Sequence, residues 1–273
     1  MENGKEKYNF FTPATYNFFY IILNTKNEKL SDKRVRRALA HLLEINKMVE
    51  VLYGGYGQPI AHPFPSEAPY FRKDLPLIEY SPEKAAQLLD EAGWTDTDGD
   101  GIRDKEINGV STPLSLQYLN SGTIFSTNLF QTFKDNASKV GVEITSRKEN
   151  LTPIVREFLP ARDFELYGGQ SSADPVATMD PFPLWHTSSD NPKGANRAGF
   201  GTDESDALID DIKKTLDDEK RYAMMGQLQE IIYNEQPWLM LFTPQERMVI
   251  HKRFDGQGYR LKPGIHARLL KKK

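Results

Sequence analysis

The chain has 273 residues, 38% of them hydrophobic and 11% aromatic, enough to bury one large core or two modest ones. Thirty-five Lys and Arg stand against 38 Asp and Glu, and a net charge of −3 offers no basic field to the phosphates of a nucleic acid. The absence of cysteine excludes disulfides, thiolate metal sites and a cysteine nucleophile; no apolar run reaches the roughly 18 residues of a membrane span and MENGKEKYNF lacks a signal-peptide core, so the sequence reads as cytosolic or as a piece of something longer.

In chain order, Phe18 to Asn24 (FFYIILN) is a short aromatic and β-branched run and predicts a buried strand. Ser31-Asp32 then caps a helix whose Val35, Leu39 and Leu42 form one apolar stripe, and Asn46 opens a shorter helix with Met48, Val49 and Leu52 inward, stopped at Gly54-Gly55. Prolines at 59, 63, 65, 69 and 76 forbid a regular helix or inner strand from Tyr56 to Pro76, which predicts a long surface loop. Ser81-Pro82-Glu83 starts the next helix, carried by Ala85, Ala86, Leu88, Leu89 and Ala92 to Gly93.

The stretch WTDTDGDGIRDK that follows sets Asp96, Asp98 and Asp100 at alternate positions before Gly101. An EF-hand would need an entering helix, a glutamate at loop position twelve and an exiting helix. Here Gly93 ends the preceding helix, position twelve is Ile107, and Asn108-Gly109 leads into the alternating Leu114, Leu116 and Tyr118 of a strand. Two readings stay open: a polar turn that needs no ion, and a structural calcium held by Asp96, Asp98, Asp100 and Asp104. On either, the loop joins a helix to a strand and is not the functional site.

Thr123 to Val140 predicts a helix with Phe125, Leu129, Phe133, Ala137 and Val140 on one face, ended by Gly141, with a strand beginning at Val142 and Ile144. A short helix over Leu151 to Leu159, starting from Thr152-Pro153, precedes a strand at Asp163 to Tyr167. Next comes a loop of small residues, an acid, prolines and a tryptophan, Gly168-Gly169-Gln170-Ser171-Ser172-Ala173-Asp174-Pro175 through Trp185-His186. Such a segment leaving a strand end suits a ligand-facing loop, and a surface loop with a hydrophobic plug has the same composition. Helices over Ser205 to Leu216, with Leu208, Ile212 and Leu216 inward, and over Asp218 to Glu235, with Tyr222, Met225, Leu228 and Ile232, lead to strands at Pro237 to Phe242 and Met248 to His251. The interleaving predicts an α/β lobe around a mixed sheet with flanking helices.

Catalytic motifs are lacking. The histidines at 41, 62, 186, 251 and 266 form no HExxH or other short ligand cluster, and GxSxG, P-loop and strand-GxGxxG patterns are absent; Tyr53 to Gly57 is glycine-rich but runs into Gln58-Pro59. Carboxylates that pair only in space leave no short motif, so a carboxylate-based hydrolase stays as an alternative of another class, beside a calcium-stabilised surface module.

The ordered motifs Asp32-Lys33-Arg34-Val35-Arg36-Arg37-Ala38-Leu39, Leu52-Tyr53-Gly54-Gly55-Tyr56-Gly57-Gln58-Pro59, Ser81 to Leu89 with Glu91-Ala92-Gly93-Trp94, Ala173-Asp174-Pro175, Asn196 to Phe200, Ser205 to Leu208 and Pro237-Trp238 resemble the extracytoplasmic solute-binding proteins of the oligopeptide, dipeptide and nickel class, family 5, the receptors of ABC importers. The resemblance implies a type II periplasmic-binding-protein clamshell of two lobes. Residues 1–273 would be its C-terminal ligand-binding lobe, without the N-terminal lobe, the signal or any lipid-anchoring cysteine; about residues 244–273 would lie near the hinge and pack on the missing lobe. It further implies a non-catalytic periplasmic or extracytoplasmic receptor working with an ABC permease, with no cofactor beyond the open calcium reading. Short peptides are the expected ligand, and nickel complexes, opines or oligosaccharides the alternative. Asp174 matches the acid that pairs with a peptide's amino group; Gln170, Ser171 and Ser172 stand where relatives often carry an aromatic, so Tyr167 and Trp185 are expected as aromatic walls, with Asn196 as a further ligand candidate or a turn cap.

Overall fold

The computed structural model describes residues 7–64, 66, 68–172, 180–256, 265 and 267–272. Strand β1 is Tyr8–Phe11, β2 Asn17–Leu23, β3 Gly57–Pro59, β4 Asp104–Ile107, β5 Val110–Pro113, β6 Ser115–Asn120, β7 Glu143–Lys148, β8 Leu166–Ser172, β9 Trp238–Met240, β10 Phe242–Pro244 and β11 Met248–His251. Five of them form the central sheet in the order β7-β6-β8-β2-β9. β6 runs parallel to β7 and β8, while β2 is antiparallel to β8 and β9, so the sheet is mixed as expected.

Both faces of the sheet are covered, which is why β2 reads as a continuous apolar run instead of an alternating one. Phe19, Ile21 and Leu23 enter one core with Val35, Leu39, Leu89, Leu129 and Phe133. Phe18, Tyr20 and Ile22 enter the other with Trp185, Ile209, Leu228 and Trp238. Each such apolar side chain removed from water contributes about 1.5–3 kcal/mol.

The first core is roofed by α1 (Lys33–His41), α2 (Ile45–Tyr53), α3 (Pro82–Glu91) and α4 (Ile124–Ala137). Caps act where the sequence places them: Asp32 accepts the Arg34 N–H at 2.8 Å, Ser81 Oγ the Lys84 N–H at 3.2 Å and Thr123 Oγ1 the Ser126 N–H at 3.1 Å. The expected cap Asn46 lies instead within α2, which starts one residue earlier behind Glu44, a residue that makes no side-chain capping bond. Gly54 ends α2 at φ 59°, a conformation that costs glycine least. Arg36, only 4% exposed, ties α1 to a stretch distant in sequence: it donates to the Glu235 carbonyl and carboxylate at 2.7 and 2.9 Å and to the carbonyls of Leu30 and Ser31.

Helix α5 is continuous over Leu151–Pro153, Ile154–Phe158 and Leu159–Ala161, with a π turn at its centre. It starts behind Asn150, ahead of the expected Thr152-Pro153, and Pro160 sits inside its last turn. The second core is closed by α6 (Phe182–Trp185), α7 (Asp203–Lys214) and α8 (Asp218–Glu235). In α7 the inward residues are Ser205, Ile209 and Ile212, with the expected Leu208 half-buried against the second core; the helix ends at Lys214, so Leu216 falls beyond the stripe and is 92% exposed.

Three strand expectations shift. The strand assigned to Asp163–Tyr167 begins at Leu166 and continues through Gly168–Ser172, which had read as loop. The run from Pro237 to Phe242 divides in two, since β9 stays in the central sheet while β10 leaves it to pair with β3. That pairing also gives the proline-rich surface segment a short strand at its start. Finally, β1, unforeseen in the sequence, pairs antiparallel with β11, Phe10 opposite Val249.

Candidate ligand-binding site

The three parallel strands β7, β6 and β8 deliver Lys148, Asn120 and Ser172 to one end of the sheet, and antiparallel β2 brings its first residue, Asn17, to the same end opposite Ser172. Because β7 and β8 flank β6 on opposite sides, the chain reverses its progression across the sheet here, and the crevice beyond strand carboxyl ends at such a reversal is where α/β sheets bind ligands. In the β2–β8 ladder Gln170 lies opposite Phe19 and Ser171 opposite Phe18. Opposed residues share a face, so Gln170 and Ser172 lie on the face of Asn17, and Ser171 on the other.

A wide-mouthed cavity of about 690 Å³ opens on the Asn17 face, lined by Asn17, Tyr53, Tyr56, Pro244 and Arg247 among others. The Arg247 guanidinium stands 5.0 Å from the centre of the Tyr56 ring, and Tyr53 packs edge-on to Phe242 at 5.0 Å. The wall therefore offers a cation, an acid in Glu246, phenol rings and carboxamides. None of Asn17, Tyr53, Tyr56 or Arg247 stood out as a site residue in the sequence; the aromatic pair in YGGYG was the available signal.

The glycines before Gln170 have a packing reason. A Cβ on Gly168 would meet Tyr118 Oη at 2.2 Å and Leu129 Cδ2 at 2.8 Å, and one on Gly169 would crowd Tyr167 and Tyr20 at 3.1 Å. They let two tyrosine layers close on the strand from opposite faces.

Among the expected site residues, Gln170 and Ser172 are exposed and Ser171 is half-buried at the strand end. Tyr167 and Trp185, expected as aromatic walls, are interior instead. Tyr167 faces the second core and burial raises its hydroxyl pKa. Trp185 is fully enclosed, 4.8 Å from the Trp238 ring and edge-on to Phe200 at 5.7 Å. Asn196 is 2% exposed and holds a turn: its amide donates to the Phe200 and His186 carbonyls at 2.6 and 3.2 Å, and its oxygen accepts the Phe200 N–H at 3.1 Å. That leaves its side chain with no spare donor for a ligand. Asp174 lies outside the described residues.

In the aspartate-rich loop, Asp96, Asp98 and Asp104 bring one carboxylate oxygen each within 4.8 Å of one another. Asp100 stands apart from that group and accepts the Ile102 N–H at 2.7 Å. The loop also serves itself: Asp96 accepts the N–H groups of Gly99 and Gly101 at 2.7 and 3.0 Å, and Asp104 is bonded by Thr97 and Ser111, which hold its carboxyl below the usual range.

Residues 2–193 match the family described as bacterial extracellular solute-binding proteins, family 5 Middle. The chain is 30% identical over 266 residues to the oligopeptide-binding protein AppA of Bacillus subtilis, covering 93% of this chain and 46% of that protein. It is 26% identical over 248 residues to di/tripeptide-binding protein 2 of Pseudomonas aeruginosa, covering 88% and 42%. Its fold superposes with a TM-score of 0.80 on the solved structure of AppA from Bacillus subtilis in complex with a nonapeptide, at 26% identity, covering 99% of this chain and 53% of that one. The chain thus spans about half the length of the relatives it matches, as one lobe of a two-lobed receptor would. By sequence and by fold, it belongs to the bacterial extracellular solute-binding proteins of family 5.

Proposed function

We propose that the chain is the C-terminal, ligand-facing half of a non-catalytic receptor that captures short peptides outside the cytoplasm and hands them to an ABC permease. The observation that carries this reading is the open cavity lined by Asn17, Tyr53, Tyr56 and Arg247, at the end of the sheet where β8 brings Gln170 and Ser172 to the face of Asn17. It forms half of a cleft, and a missing N-terminal lobe closing over it would bury the ligand. Relatives named for oligopeptides and di/tripeptides support peptides as the ligand class. In this reading Asp174, two residues beyond Ser172 in the sequence, pairs with the peptide's ammonium group in a charge-assisted bond, and Arg247 in the cavity lining is a counter-charge for carboxylate.

The test is calorimetric titration of a tripeptide into the longer parent protein, into this chain alone and into the parent carrying Asp174→Ala. The expected result is affinity at least about 100-fold weaker for the chain alone, because half the contacts are missing, and a loss of about tenfold or more in the variant. Equal affinity in all three would overturn both the half-cleft and the role of Asp174.

A further inference from the structure

The turn from α7 into α8 lies at the end of the sheet where the cleft opens. Helix α8 finishes at the far end of β2, where the Pro237 carbonyl accepts the Leu23 N–H at 3.1 Å. Its middle is fixed to the proline-rich segment by Gln229, which donates to the Tyr70 carbonyl at 2.7 Å and accepts the Arg72 N–H at 3.1 Å. Phe71 and Arg72 in turn share a cavity wall with Tyr16 and Phe18, at the start of β2. The 18 residues of α8 span about 27 Å, so its first turns and the end of α7 stand beside the cleft mouth.

A surface groove of about 220 Å³ opens at this turn, with buried Tyr70, Ile212 and Met225 as an apolar floor. Leu216 forms its outer wall and is 92% exposed, because α7 has already ended at Lys214. A leucine left in water against an apolar groove is the mark of a contact surface. Lys213 and Arg221 stand on the rim. The acids around them are spent: Asp180 accepts the Phe182 N–H at 3.0 Å, Asp217 the Lys220 N–H at 3.0 Å, Asp218 holds Arg221 and Asp210 pairs with Lys214. Among the described residues Lys213 has no carboxylate partner, and its Nζ rests 4.5 Å from the centre of the Phe182 ring.

On the reading of the chain as half of a peptide receptor, we propose that this groove is where the receptor docks on its ABC permease. The occupant is a permease segment that lays an apolar side chain on the floor beside Leu216 and brings a carboxylate to Lys213. A bound peptide can pass to the permease only through the cleft mouth, so the docking surface must lie at that end of the lobe, as the groove does.

The test uses the longer parent protein, its permease reconstituted in proteoliposomes and a tripeptide, and reads ATP hydrolysis against receptor concentration for the parent, Leu216→Asp and Lys213→Glu. The expected result is a half-stimulating concentration raised about tenfold or more in each variant, with peptide affinity by calorimetry unchanged. Both side chains are exposed, so neither change disturbs a core. Equal stimulation by all three proteins would overturn the assignment. Weaker peptide affinity in the variants would transfer the surface to the N-terminal lobe, and a parent dimer that the variants dissolve would transfer it to a second copy. A parent that takes no tripeptide would contradict the receptor itself and this surface with it, a failure that calorimetry shows before any permease is added.

Discussion

Two residues illustrate how a local environment sets a requirement that a residue's type alone does not express. Gly168 looks like a loop glycine, yet it sits inside β8 because Tyr118, with no exposed surface, occupies the space where a side chain would be. Gly168→Ala is expected to lower the unfolding free energy by about 1–3 kcal/mol, the range for overpacking a close-packed core. Tyr118→Phe in the same chain should recover part of that loss, since the nearest clash is with Tyr118 Oη; a fully additive double mutant in denaturant melts would sink the explanation. His62 makes the second case. Burial lowers its pKa beneath the usual imidazole value and outweighs the bond to the Arg72 carbonyl and the Asp74 carboxylate, which raise it, while the Arg72 guanidinium adds to the lowering; burial lowers His41 likewise, with Arg37 and Lys84 adding to it and Glu79 opposing. The unfolded chain then binds more protons than the folded one below about pH 6.5, so this part of the stability is present above that pH and is lost as pH falls towards the folded pKa. Denaturation at pH 5 should give a smaller free energy than at pH 7.5, and His62→Gln should narrow the gap. An unchanged gap in that variant would remove His62 from the account.

At the scale of elements, helices with strong caps and clear stripes were legible: α1, α3, α4 and α8 stand within a residue or two of where periodicity and capping place them. The errors came from tertiary demands. β8 runs through Gly168–Ser172 because two tyrosine layers need small residues there, whereas small residues in isolation suggest a loop. The Pro237 to Phe242 run reads as one strand, and only the third partner β3 pulls its second half out of the sheet. The aspartate-rich loop was legible in connection but not in ion content. Its carboxylates already accept N–H bonds from Gly99, Gly101, Ile102 and Thr97, so the turn is closed without a cation. Accordingly, calcium added to metal-stripped protein should leave the melting temperature unchanged. A rise that Asp98→Ala abolishes would assign a structural calcium to Asp96, Asp98 and Asp104 instead.

For the molecule as a whole, the architecture follows from one strand buried on both faces. β2 carries Phe19, Ile21 and Leu23 into one core and Phe18, Tyr20 and Ile22 into the other, so the fold class could be read from FFYIILN and the interleaved helices. The candidate site was less legible. The sequence pointed to the end of β8 and named Gln170, Ser171 and Ser172, whereas the cavity is lined by Asn17, Tyr53, Tyr56 and Arg247, from three distant stretches that only the sheet order and the β3–β10 pairing bring together. Conversely, Trp185 and Asn196 carry the residue types of a binding site while serving as a buried plug and a turn clamp. The central claim is that this lobe is half of a peptide receptor. Its most direct test is native mass spectrometry of the longer parent protein after incubation with a mixed pool of two- to five-residue peptides, repeated with Asp174→Ala. The account predicts retained peptides in the parent and their loss in the variant; a parent that retains no peptide from the pool would contradict it and turn attention to nickel complexes, opines and oligosaccharides.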